Sequence, residues 1–105
     1  MQINISTRHG EINDAVRGRI VQKLEKVQRF FDRLTAVEVI VNFDKPEEPS
    51  LEVTVTAEKG IVFVAGYHSS DLFGSLDQVL SKLEQQIKKH KEKTKDHGKN
   101  TSTDE

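Results

Sequence analysis

Leu51-Glu52-Val53-Thr54-Val55-Thr56-Ala57-Glu58-Lys59-Gly60-Ile61-Val62-Phe63-Val64-Ala65-Gly66-Tyr67 is the stretch on which the fold turns. Leu51, Val53, Val55 and Ala57 alternate with Glu52, Thr54, Thr56 and Glu58, the period-two pattern of a strand with one apolar and one polar face. Lys59-Gly60 supplies a tight hairpin turn, Gly60 tolerating positive φ, and Ile61 to Tyr67 forms the returning strand. A sheet that is polar on one face needs covering only on the other. Any amphipathic helices in the chain belong together on that apolar face.

Upstream, Val37, Val39, Val41 and Phe43 share one face of a further strand, opposite Glu38, Asn42 and Asp44, with Ile40 the exception. Lys45-Pro46-Glu47-Glu48-Pro49 is a turn, because a central strand does not accommodate two prolines. Further back, Val16, Ile20, Leu24, Val27, Phe31 and Leu34 recur at three- and four-residue steps after Asn13, a good N-cap. That spacing predicts a helix of roughly twenty residues with one apolar stripe, in which Gly18 costs about 1 kcal/mol relative to Ala. Residues 2–6 alternate around Ile3 and Ile5 and read as a short first strand.

Downstream, Ser69, Ser70 and Asp71 offer N-caps for a second helix with apolar positions Leu72, Phe73, Leu76, Val79, Leu80, Leu83 and Ile87. No apolar residue appears from Thr94 to Glu105, so residues 1–93 are expected to fold and 94–105 to form a disordered polar tail. The order β-α-β-β-β-α implies a right-handed crossover between parallel first and second strands, then an antiparallel meander. The expected class is α+β: two layers, a four-stranded mixed sheet with two helices on one face.

At 105 residues the chain holds one domain, and 34% hydrophobic against 31% charged residues implies a thin core under a well-solvated surface. Without cysteine there is no disulfide framework, zinc ribbon or thiol chemistry. Met1-Gln2-Ile3-Asn4-Ile5 has neither the basic nor the apolar region of a signal peptide, and Ile61–Ala65 is far too short to span a bilayer. A soluble cytoplasmic protein is the expectation.

Charge is sorted along the chain. Residues 1–34 carry 7 Lys+Arg against 4 Asp+Glu, and residues 35–67 carry 2 against 6. Five lysines, Lys82, Lys88, Lys89, Lys91 and Lys93, crowd the second helix. A polyanion responds to the local field and not to the net charge of −1. At about 100° per residue, Arg19, Lys23, Lys26 and Arg33 flank the first helix's stripe, with Arg29 just beyond. Lys82, Gln86, Lys89 and Lys93 line up beside the second stripe. If the helices lie side by side, the two ridges edge one shared groove. The plain alternative is a solvated face whose cations pair with nearby carboxylates. The segregation of Asp and Glu away from both ridges argues against it.

Other chemistry finds no support. His9, His68, His90 and His97 lack metal-site spacing, and Ser69 and Ser70 lack a nucleophile elbow and read as caps. Asp71 and Asp77 suit the dipole at a helix start, and the glycines form no phosphate loop. Phe30 or Phe31 could stack on a base, but both sit at or beside core positions. No enzyme, cofactor, metal or small-molecule substrate is expected.

Asp71-Leu72-Phe73-Gly74-Ser75-Leu76-Asp77, followed by Lys82-Leu83-Glu84-Gln85-Gln86-Ile87-Lys88-Lys89-His90-Lys91, resembles the bacterial ribosome hibernation promoting factor family. Members of that family carry D-M-Y-A-A-I-D and then D-K-L-x-R-Q-L-x-K-x-K. Ile12, Ala15, Arg17, Lys23, Lys26, Phe31, Asp32 and Arg33 stand where the family has I-T-x-A-L-R, K-x-x-K and F-D-R. The resemblance covers residues 1 to about 93 in one register and includes Met1-Gln2-Ile3-Asn4-Ile5.

It implies a stress and stationary-phase factor that binds the 30S subunit and the 70S ribosome. Such a factor occupies the mRNA and tRNA cleft between head and body, contacts 16S ribosomal RNA (rRNA) and stops translation. Carried over by position, the rRNA-binding residues are Arg17, Lys23, Lys26, Arg33, Lys82, Gln86, Lys89, Lys91 and Lys93; the ridges add Arg19 and Arg29. Arg17 projects about 80° from the first stripe, on its other flank. Gln85 replaces a frequent Arg and Leu72-Phe73 replaces Met-Tyr, changes that spare the fold while the first weakens RNA contact.

The chain looks like a short form, monomeric off the ribosome. The type implied promotes inactive ribosome dimers alongside a separate ribosome modulation factor. Alternatives are the single-ribosome paralogue that opposes dimers, which has a longer acidic tail, and a generic double-stranded-RNA-binding module. Modulation of an alternative sigma factor is a further rival.

Overall fold

The computed structural model describes residues 2–30 and 33–95, those at 28, 30 and 92–95 by backbone alone. The chain runs β1 (Gln2–Arg8), α1 (Asp14–Glu25), α2 (Val27–Phe30), β2 (Leu34–Asn42), β3 (Ser50–Ala57), β4 (Val62–His68) and α3 (Leu72–Lys95). The strands lie in the order β1-β2-β3-β4. β1 is parallel to β2, with Ile3 opposite Val37 and Ile5 opposite Val39, and the remaining pairs are antiparallel. This is the two-layer mixed sheet that the sequence predicts.

α1 starts where expected. The Asn13 Oδ1 accepts the Val16 backbone N–H at 2.8 Å, satisfying a free donor of the first turn. Ile20 and Leu24 are fully buried, and Gly18 faces open space. The helix ends earlier than its periodicity predicts. The N–H of Lys26 reaches the Lys23 carbonyl and that of Arg29 the Lys26 carbonyl, three-residue bonds that tighten the chain into the short α2.

Sheet pairing decides the break. Leu34 pairs with Ala57 as the first residue of β2, and the Glu58 N–H donates to the Arg33 carbonyl at 3.0 Å. Leu34 reaches the same core as the helical stripe, but from a strand. Phe31, expected as a stripe position, lies outside the described residues, as does the tail from residue 96. α3 continues to Lys95, two residues into the span read as tail.

The core is one cluster between sheet and helices. Val37, Val39 and Val41 of β2 and Leu51, Val53 and Val55 of β3 meet Leu76, Val79, Leu83 and Ile87 of α3. Burying each such side chain is worth about 1.5–3 kcal/mol, against about 0–1 kcal/mol for an exposed ion pair. Apolar burial therefore fixes where the helices lie, and surface charges adapt to it. Ser75, buried on the core side of α3, is satisfied by the Ser69 hydroxyl 2.6 Å away.

The β3–β4 connection is a three-residue turn, Glu58–Gly60, and not the two-residue turn read from the sequence. Gly60 has φ 74° as expected, but Lys59 also has positive φ, at 67°. The Ala57 N–H closes the turn on the Ile61 carbonyl at 2.7 Å.

Candidate nucleic-acid interface

The helices carry their cations where the topology puts them. Arg19 lies over the Phe73 ring, 4.1 Å from its centroid, and Lys23 Nζ meets Asp77 Oδ1 at 2.8 Å. Both contacts advance four residues in the same direction, so α1 and α3 run parallel. Their C-terminal ends therefore share the end of the sheet where β2 begins, β3 ends and β4 begins. Lys26, Arg29 and Arg33 stand at that end, with Lys59 in the adjacent turn and Lys89 and Lys91 on the last turns of α3. Lys26, the C-cap of α1, also complements the negative end of that helix dipole.

These residues differ in what occupies them. Lys26, Arg29, Arg33 and Lys89 are exposed and form no ion pair with another described residue. Among the described residues nothing takes up their side-chain donors, which suit an incoming phosphate, and the arginines offer a bidentate fork. Lys23 is largely committed: its side chain is only 23% exposed and its charge is met by Asp77. Arg19 is exposed but stacked. Arg17 Nη1 donates to the Ile5 carbonyl at 3.4 Å, which holds it against the outer edge of β1, away from α3. The backbone at Lys93 continues α3, and its side chain lies outside the described residues.

The second ridge behaves differently. Lys82 Nζ donates to the Gly66 carbonyl at 3.0 Å, and Gln86 Nε2 to the Val64 carbonyl at 2.9 Å. Both residues therefore lie along the free edge of β4. At about 100° per residue, Phe73 and Lys82 stand half a turn apart on α3. The two ridges lie on opposite flanks of α3 and do not edge one groove. The expected segregation of carboxylates also fails locally. Asp77 answers Lys23, and Glu84 pairs with Lys88 at 3.1 Å in the favourable acid-before-base order.

Sequence reading missed two members of this end. Lys59 is placed there by its turn, a position legible from the hairpin alone. Lys88, in the same lysine cluster, carries Glu84 with it. The opposite end holds the Pro46–Pro49 loop, where the His68 ring nitrogen Nδ1 meets Glu48 Oε1 at 2.6 Å. Among the described residues no group of three His, Cys, Asp or Glu side chains converges as a metal site. No helix among them is long and apolar enough to cross a membrane.

Residues 3–95 match the family model described as Sigma 54 modulation protein / S30EA ribosomal protein. A ribosome hibernation promoting factor of Pseudomonas putida is 38% identical over 93 residues, 89% of each chain. The protein of that name from Escherichia coli is 32% identical over 97 residues, covering 92% of this chain and all of the relative. Among solved structures, a ribosomal subunit interface protein from Coxiella burnetii superposes with a TM-score of 0.78 at 23% identity, over 87% of this chain and 98% of the other. The Protein Y N-terminal domain of Thermus thermophilus gives 0.74 at 25%, over 86% and 99%.

Proposed function

The chain belongs to the Sigma 54 modulation protein / S30EA ribosomal protein family, and from that premise we propose that it is a ribosome hibernation factor. It binds the ribosome and regulates translation without catalysing a reaction, as the names of its Pseudomonas and Escherichia relatives suggest. Its place is the 30S cleft where mRNA and tRNA pair, its ligand is 16S rRNA, and it works in the cytoplasm. The observation that carries the reading is the open cationic end formed by Lys26, Arg29, Arg33 and Lys89. Four cations at one end, none of them paired with another described residue, on a chain of net charge −1 fit a phosphate backbone and a large polyanionic partner.

Within the interface the roles are unequal. Lys26, Arg29, Arg33, Lys89 and Lys91 make the principal phosphate contacts. Lys23 and Arg19 bridge α1 and α3, whose positions the apolar core fixes, and Arg17, Lys82 and Gln86 contribute from the sheet edges. The protein favours inactive ribosome dimers and works alongside a separate modulation factor. Sedimentation tests the reading directly. The protein should travel with 30S subunits and 70S ribosomes and inhibit cell-free translation. Protein left at the top of the gradient at low salt, with ribosomes in excess, overturns it. Preference for isolated RNA duplex over subunits indicates a generic duplex-binding module instead. Ribosomes held single when the modulation factor is supplied indicate the paralogue that opposes dimers.

A further inference from the structure

We propose that the β4 edge is a self-pairing surface, closed in the monomer by Lys82 and Gln86 and complementary to the same edge of a second copy of this chain. β4 is the last strand of the sheet, so the backbone groups of Val64 and Gly66 that point away from β3 have no strand to meet. Their carbonyls are taken by side chains: Gly66 by Lys82 at 3.0 Å and Val64 by Gln86 at 2.9 Å. The Lys82 ammonium also stands 5.1 Å from the Tyr67 ring centroid, which holds it along the edge.

The surface under this clasp suits another strand. The exposed large apolar side chains among the described residues all lie on β4: Val62 at 52%, Val64 at 47% and Tyr67 at 39%. Val62 and Val64 share the uncovered sheet face, and no charged residue lies between Val62 and Gly66. Gly66 presents no side chain to ward off a neighbour. An antiparallel partner related by a two-fold axis near Ala65 sets Val64 opposite Gly66 of the other copy, and its uncharged segment meets no like charge. Such pairing exchanges Val64 and Gly66 N–H and carbonyl groups between copies, and it requires Lys82 and Gln86 to leave the edge. Lysine is suited to the guarding role, because two edges each carrying an ammonium repel.

The test is the oligomeric state of the full chain. Wild type should remain at 11.9 kDa across a concentration series in light scattering. Lys82→Ala with Gln86→Ala should shift toward twice that mass as concentration rises. Adding Val64→Pro to the double variant should restore the monomer. Its N–H points off the edge, so proline removes no bond to β3 while blocking the partner. Hydrogen exchange gives a second readout: the Val64 and Gly66 amides should gain protection in the double variant only as it associates. Circular dichroism shows whether each variant is folded; if the double variant unfolds, Gln86→Ala alone serves, with a weaker shift in the same direction. A folded double variant that stays monomeric at every concentration overturns the proposal. So does association that Val64→Pro leaves untouched, which places the contact elsewhere.

Discussion

Adding one methyl group at Gly10 tests how closely the chain folds back on β2. A Cβ at Gly10 would stand 2.7 Å from Phe43 Cδ2 and 2.9 Å from its Cβ and Cγ, too near for the ring to yield at its tip. The Phe43 N–H also donates to the Arg8 carbonyl at 2.8 Å, so the backbone there has little room to retreat. Gly10→Ala should cost about 1–3 kcal/mol, read as a lower denaturant midpoint with an unchanged slope. An unaltered midpoint means Phe43 swings away freely. Residues of this kind are unevenly legible in a sequence. Gly60 announces its positive φ because glycine alone adopts it without penalty, whereas nothing about Lys59 marks it as left-handed. The closeness of Gly10 to Phe43 depends on a parallel pairing of β1 and β2 that no local pattern encodes.

Elements were legible wherever periodicity and boundary signals agreed. The alternation in β2 and β3 and the Asn13 cap of α1 are read directly from the residues, and the structure places them as read. The cap should be worth about 1 kcal/mol. Asn13→Ala should lower stability by that amount, and Asn13→Asp or Asn13→Ser should retain most of it because each keeps an acceptor for the Val16 N–H. Equal losses for all three in thermal unfolding assign the contribution to something other than the cap. The end of α1 was not legible. Leu34 falls at a helical interval from Val27 and is buried in the same core, so its spacing reads as helix although a strand delivers it. Long-range pairing with Ala57 overrides the local period. The flanking of α3 follows the same rule. Its ridge of Lys82, Gln86 and Lys89 is visible in the sequence, but that the ridge borders β4 and not α1 follows from which way the helix rolls onto the sheet.

For the whole molecule, the consequence is that charge is deployed by end and by edge. Two parallel helices bring their C-terminal cations to one end, while carboxylates or sheet carbonyls engage Lys23, Lys82 and Arg17 elsewhere. Binding to folded RNA should therefore depend on the open cations more than on the total. Each phosphate neutralised adds roughly 0.7–0.9 to the fall of log affinity with log salt. Arg29→Glu with Arg33→Glu removes two contacts and should lower that slope by roughly 1.5, with a severe loss of ribosome binding. The fold should persist, since both side chains are exposed and Arg33 holds Glu58 through its backbone carbonyl. Lys23→Gln should leave the slope almost unchanged, because the charge it removes is already answered by Asp77. Glu52→Lys, on the uncovered sheet face and far from the cationic end, should change neither slope nor affinity appreciably. Salt-dependent co-sedimentation of the three variants with 30S subunits measures all of this. If Lys23→Gln flattens the slope as much as the double arginine reversal, the seam between α1 and α3 meets RNA directly. The interface then lies along the helices and not at their ends.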